Sequence, residues 1–79
     1  MMSASFPDSS SLTAATYQPS SARLRIVFRD GTCYDYLDVP SNIFSSLANA
    51  KSQGAFFNAS IRDVYPAIRS ASAMLFKWH

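Results

Sequence analysis

The residues able to do covalent chemistry are few. In 79 residues there is one cysteine, Cys33, and one histidine, His79, at the last position. A nucleophile needs a neighbouring base, and acid–base work needs groups tuned against each other. No triad can be assembled from these residues. Asp30, Asp35, Asp38 and Asp63 read instead as turn, pairing and helix-surface residues. Metal sites need several Cys, His or carboxylate ligands converging, and no such spacing occurs. The expectation is a protein that is not an enzyme and carries no cofactor or metal. A single cysteine also excludes an internal disulfide.

Binding chemistry has more to offer. Seven basic residues stand against five acidic ones, for a net charge of +2. Arg23, Arg25 and Arg29 recur along one segment, while Lys51 and Arg62 lie further on. If they converge, they form a footprint for a phosphate backbone. If they do not, they are a solvated surface with local ion pairs. Tyr34 and Tyr36, one residue apart in GTCYDYLDVP, are either a stacking platform for bases or half of a small core. Gly54, near a helix start, either admits a phosphate to free N–H groups or permits close helix packing, and packing is favoured because lone glycine motifs are weak. Asn58 suits a loop bridge or a ligand contact equally.

The elements must position these groups. Nearly half the residues are hydrophobic, enough for one core and one domain. Residues 1–10, rich in serine, read as a flexible tail. LTAATY, Leu12 to Tyr17, reads as a short strand. RLRIVF alternates as a strand should, Asp30-Gly31 signals a hairpin, and Thr32 to Leu37 returns. After Pro40, Ile43, Phe44, Leu47 and Ala50 mark a helix that Ser41 can cap. Ser52 opens a second helix with Phe57, Ile61 and Tyr65 at intervals of four, ending before Pro66. AIRSASAMLFKWH reads either as a third helix with Ile68, Ala71, Leu75 and Trp78 aligned, or as an ordered tail or partner-binding peptide, and Trp78 so near the end favours docking.

Register decides where the tyrosines point. A two-residue loop pairs Val27 with Tyr34 and Arg25 with Tyr36, building an Arg/Tyr surface suited to single-stranded nucleic acid. It also strands Asp35 on the core face, which is costly. A three-residue loop, Arg29 to Gly31, pairs Ile26 with Tyr34 and Leu24 with Tyr36 on one face. Arg25 then meets Asp35 on the other face as an exposed ion pair. A one-residue slip exchanges the two pictures. Polar satisfaction favours the second, with the tyrosines in the core.

These runs resemble a known family. LRIVF, then DGTCYDYLDVP, a helix, and SQGAFFNASIRDVYP are similar to the KTSC domain, a small bacterial and phage domain named for the C-terminus of some lysyl-tRNA synthetases. The matching positions are Tyr34, Tyr36, Val39, Pro40, Ser52, Gly54, Phe56, Phe57, Asn58, Ile61, Arg62, Tyr65 and Pro66. RNA binding is the function suggested for that family, with no assigned site residues to carry over.

The expectation is then an α+β domain over residues 11–66. A three-stranded antiparallel sheet in the order β-β-β-α-α carries two helices on one face. A tail, 1–10, precedes it, and an extension, 67–79, follows as a third helix. The function expected is a binding module for RNA or other nucleic acid. The alternative is a protein-interaction or self-association module using the apolar residues 74–78. With no signal-peptide pattern and no apolar run near the roughly 20 residues of a membrane span, the expected location is cytoplasmic.

Overall fold

A computed structural model describes residues 1–70. Among these residues the elements run β1 (Met2–Ser5), β2 (Leu12–Gln18), β3 (Arg23–Phe28), β4 (Cys33–Tyr36), α1 (Ser41–Ala48), α2 (Gln53–Ser60) and β5 (Ala67–Ser70). The five strands form one sheet in sequence order, and each neighbouring pair is antiparallel. Side chains alternate across the strands. Ala15, Tyr17, Leu24, Ile26 and Tyr36 therefore share one face, where Phe44 and Leu47 of α1 and Phe57 of α2 close the core over them. The fold is α+β, with both described helices on that face.

The hairpin takes the three-residue loop. Phe28 N–H donates to the Thr32 carbonyl, Gly31 N–H donates to that of Phe28, and Gly31 sits at φ +89°. That left-handed position costs glycine nothing. The register follows: Leu24 faces Tyr36, Arg25 faces Asp35, and Ile26 faces Tyr34. Pro40 occupies the cap position of α1, so Ser41 begins the helix rather than capping it. Ser52 does cap α2, accepting the Ala55 N–H.

Four further expectations need correcting. The sheet has five strands rather than three. Residues 1–10 contain strand β1 instead of a tail; Ala4 packs against the core, and Phe6 is buried with its N–H on the Thr13 carbonyl. One aromatic anchor is enough to hold a serine-rich segment along β2. The segment after Pro66 begins as β5, not as a helix, because Leu37 N–H donates to the Pro66 carbonyl and extends the β4 ladder. The expectations for residues 71–79, including the contact at 74–78, lie outside the described residues. α2 also ends earlier than the interval-of-four pattern suggests. Ile61 and Arg62 both donate to the Phe57 carbonyl, and Asp63 turns left-handed at φ 60°.

Candidate functional site: an aromatic groove between the hairpin and α2

A cleft of about 730 Å³ opens between the helix-facing side of the β3–β4 hairpin and α2 with the turn that follows it. Its floor is aromatic. The Tyr34 and Tyr36 rings lie 6.4 Å apart at 30°, and Phe57 meets Tyr36 edge-on at 5.6 Å. Phe28 packs edge-on against both Tyr34 and Phe57. Tyr36 is 5% exposed, while Tyr34 remains half-buried. Tyr36 belongs to the core and Tyr34 packs against it, and both rings line the groove.

Burial pushes the Tyr36 hydroxyl up from 10.0 to about 12, with the neighbouring Tyr34 and Asp63 adding to the rise and Arg62 opposing it. It stays protonated at neutral pH, a neutral donor and acceptor in the groove. Perturbed groups in a cleft mark candidate sites. Asp30 moves the other way: hydrogen bonds from the Thr32 hydroxyl and N–H hold its carboxyl below the usual value, with the Arg69 charge contributing.

Seven of the thirteen matching positions, Tyr34, Tyr36, Gly54, Phe57, Asn58, Arg62 and Tyr65, line this one groove. Gly54 serves packing there, since a Cβ would stand 3.3 Å from Ser11 Oγ. Asn58 and Arg62 are exposed at the rim.

The five basic residues do not gather. Strand alternation sends Arg23 and Arg25 to the opposite face of the sheet. There Arg25 is buried against Asp35, and Arg23 lies 3.6 Å from the same carboxylate. The Arg25–Asp35 pair was expected to be exposed. Thr16 on β2 and Ile68 on β5 flank it in the same cross-strand row, and β5 is the neighbour that a three-stranded sheet lacks. Arg29 lines the groove, but its guanidinium donates to the Ser9 and Phe6 carbonyls. Lys51 is exposed in the α1–α2 connection, away from the groove lining. Of the five, Arg62 alone lines the groove with a guanidinium that no ion pair or hydrogen bond engages among the described residues.

Sequence reasoning missed Arg69. It pairs with Tyr34 across β4 and β5, so it projects on the groove side. The signal was the alternation of Ala67 and Arg69 with Ile68 and Ser70, masked by an equally good helical spacing. Among the described residues, no three metal-ligating side chains cluster and no helix is long and apolar enough to cross a membrane.

A five-stranded antiparallel sheet with two helices on one face, and seven of the matching positions on one cleft, defines a small α+β domain. The chain belongs to the KTSC domain family: that family's model matches residues 8–65. A protein of Tsukamurella paurometabola is 34% identical over 61 residues, covering 77% of this chain and 91% of the relative. A lysine–tRNA ligase of Nostoc sp. is 34% identical over 56 residues, 71% of this chain but 10% of the ligase. The chain thus spans about a tenth of that relative's length. The crystal structure of a KTSC domain protein from Yersinia pestis superposes with a TM-score of 0.79 at 28% identity, covering 87% of this chain and 99% of that one.

Proposed function

We propose that the chain is a non-catalytic binding module of the cytoplasm whose groove holds an unpaired segment of RNA. The observation that carries this is the convergence of seven of the thirteen matching positions on one cleft, with aromatic rings inside it and Arg62 at its rim. Unstacked bases bind by stacking on aromatic faces and by hydrogen bonds to their edges, while arginine takes the phosphate. Tyr34 and Tyr65 supply faces, Asn58 supplies donors and an acceptor, and Arg62 and Arg69 supply charge. A relative named as a lysine–tRNA ligase adds support, because its name ties a domain of this kind to an RNA-handling enzyme.

Fluorescence anisotropy with short single-stranded RNA at two salt concentrations tests the proposal. Tyr34→Ala removes a stacking contact, worth about 1–3 kcal/mol of affinity. Arg62→Gln weakens binding and flattens the log–log salt slope by about 0.7, the single-strand value per phosphate contact. Arg23→Gln, on the other face, leaves affinity unchanged. Wild-type affinity in both groove variants would overturn the assignment.

A further inference from the structure

Four charged residues line the groove: Arg29, Asp30, Arg62 and Asp63. Two are already committed. The Arg29 guanidinium is held by the Ser9 and Phe6 carbonyls, and the Asp30 carboxylate accepts from the Thr32 N–H and hydroxyl. Arg62 and Asp63 have neither an ion pair nor a hydrogen bond from their side chains among the described residues. They are adjacent on the turn that closes α2, and that turn is anchored. Val64 and Tyr65 N–H groups both donate to the carbonyl of Ile61, a fully buried residue. Asp63 is therefore presented from a fixed left-handed position, φ 60°, which aspartate tolerates better than most residues. A free carboxylate beside an arginine is a liability if the groove only collects phosphate. It is an asset if the groove reads a base.

We propose that Asp63, together with Asn58 of the same groove lining, reads the Watson–Crick edge of a guanine stacked in the groove, so that the module prefers unpaired guanine over the other bases. This rests on the RNA-binding reading above. The preference follows from donor patterns. Guanine alone offers two adjacent donors on that edge, N1–H and N2–H, matching the two oxygens of one carboxylate. Adenine and cytosine place a ring-nitrogen lone pair beside their amino group, and uracil sets its N3–H between two carbonyls. In each of those the second carboxylate oxygen meets another lone pair. The Asn58 amide can donate to guanine O6, and Arg62 is placed to neutralise the flanking phosphate. Bidentate recognition of this kind discriminates strongly between bases, because the wrong base leaves a desolvated group unpaired.

The test uses the full chain and short oligouridylates carrying a single central guanine, adenine, cytosine or uracil. Affinity for the guanine oligomer should exceed that for the others by about tenfold or more. Asp63→Asn, which keeps the backbone conformation accessible, should abolish that margin without loss of the native melting transition. Equal affinity for all four oligomers, or a guanine margin that survives in Asp63→Asn, overturns the base-reading role and leaves RNA binding standing. Failure of all four oligomers to bind overturns both.

Discussion

Arg25 and Asp35 face each other across β3 and β4 and share two hydrogen bonds, Nε–H to Oδ1 at 2.6 Å and Nη2–H to Oδ2 at 2.7 Å. Both residues are buried, on the sheet face turned away from the helices. Removing one partner strands a buried charge. Arg25→Leu or Asp35→Leu should each cost about 3–5 kcal/mol, while the double substitution should cost far less than their sum. Denaturant midpoints of the four species close the cycle. Additive losses would show that the pair is not the unit that matters.

Tyr34 and Tyr36 should separate stability from binding. Tyr36 fills the core against Phe57, so Tyr36→Ala should cost about 3–5 kcal/mol, as for other buried aromatics. Tyr34 is half-buried, and Tyr34→Ala should cost less, about 1–3 kcal/mol, with its larger effect on RNA affinity. Equal losses of stability would contradict the packing described.

The Tyr36 proton gives a pH dependence of known sign. Its folded value is raised from 10.0 to about 12 by burial first, then by Tyr34. The folded state holds this proton more tightly than the unfolded state does. The contribution is therefore complete below pH 10 and is lost as pH rises towards about 12. Tyr36→Phe should remove that part of the alkaline decline in the denaturant midpoint. An unchanged decline would place the titration elsewhere.

The hairpin was legible because charge decided it. Only one register keeps Asp35 off the core face, and the same choice puts Tyr34 and Tyr36 toward the helices. The groove was legible only as a motif, since nothing local says that Tyr34 and Arg62 meet. β1 was not legible: Met2 to Ser5 carry no large buried side chain, and the signal is Phe6 alone, just beyond the strand. β5 is hidden because Ile68 fits a period of 3.6 with the residues after it, and a strand of four residues is too short to outvote that. Arg29 falls in with Arg23 and Arg25 by spacing, but β3 ends at Phe28, and alternation does not extend into the turn.

Arg29 acts as a staple. Its guanidinium ties the hairpin tip to the β1–β2 connection through the Ser9 and Phe6 carbonyls. Arg29→Gln should cost about 1.5–3 kcal/mol, the range for hydrogen bonds involving a charged group. Amide exchange should quicken at Phe6, whose N–H bonds Thr13, more than along the β3–β4 ladder. RNA affinity should hold, in contrast to Arg62→Gln. A loss of affinity equal to that of Arg62→Gln would make Arg29 a phosphate contact after all.

Gly54 and Ser11 should be coupled. A Cβ at position 54 would stand 3.3 Å from Ser11 Oγ and 3.5 Å from Ser11 Cβ. The first distance is tight; the second is ordinary contact. Gly54 has no need of a left-handed backbone, so alanine gains helix propensity of up to about 1 kcal/mol in α2. Whether the gain appears depends on the serine hydroxyl turning aside. Gly54→Ala alone should therefore change stability little, whereas Ser11→Ala with Gly54→Ala should exceed the sum of the two single changes. Strict additivity in the double-mutant cycle would mean that the hydroxyl moves freely and that Gly54 is not set by this contact. A large loss in both backgrounds would mean that the backbone of α2, rather than the Ser11 side chain, sets the approach.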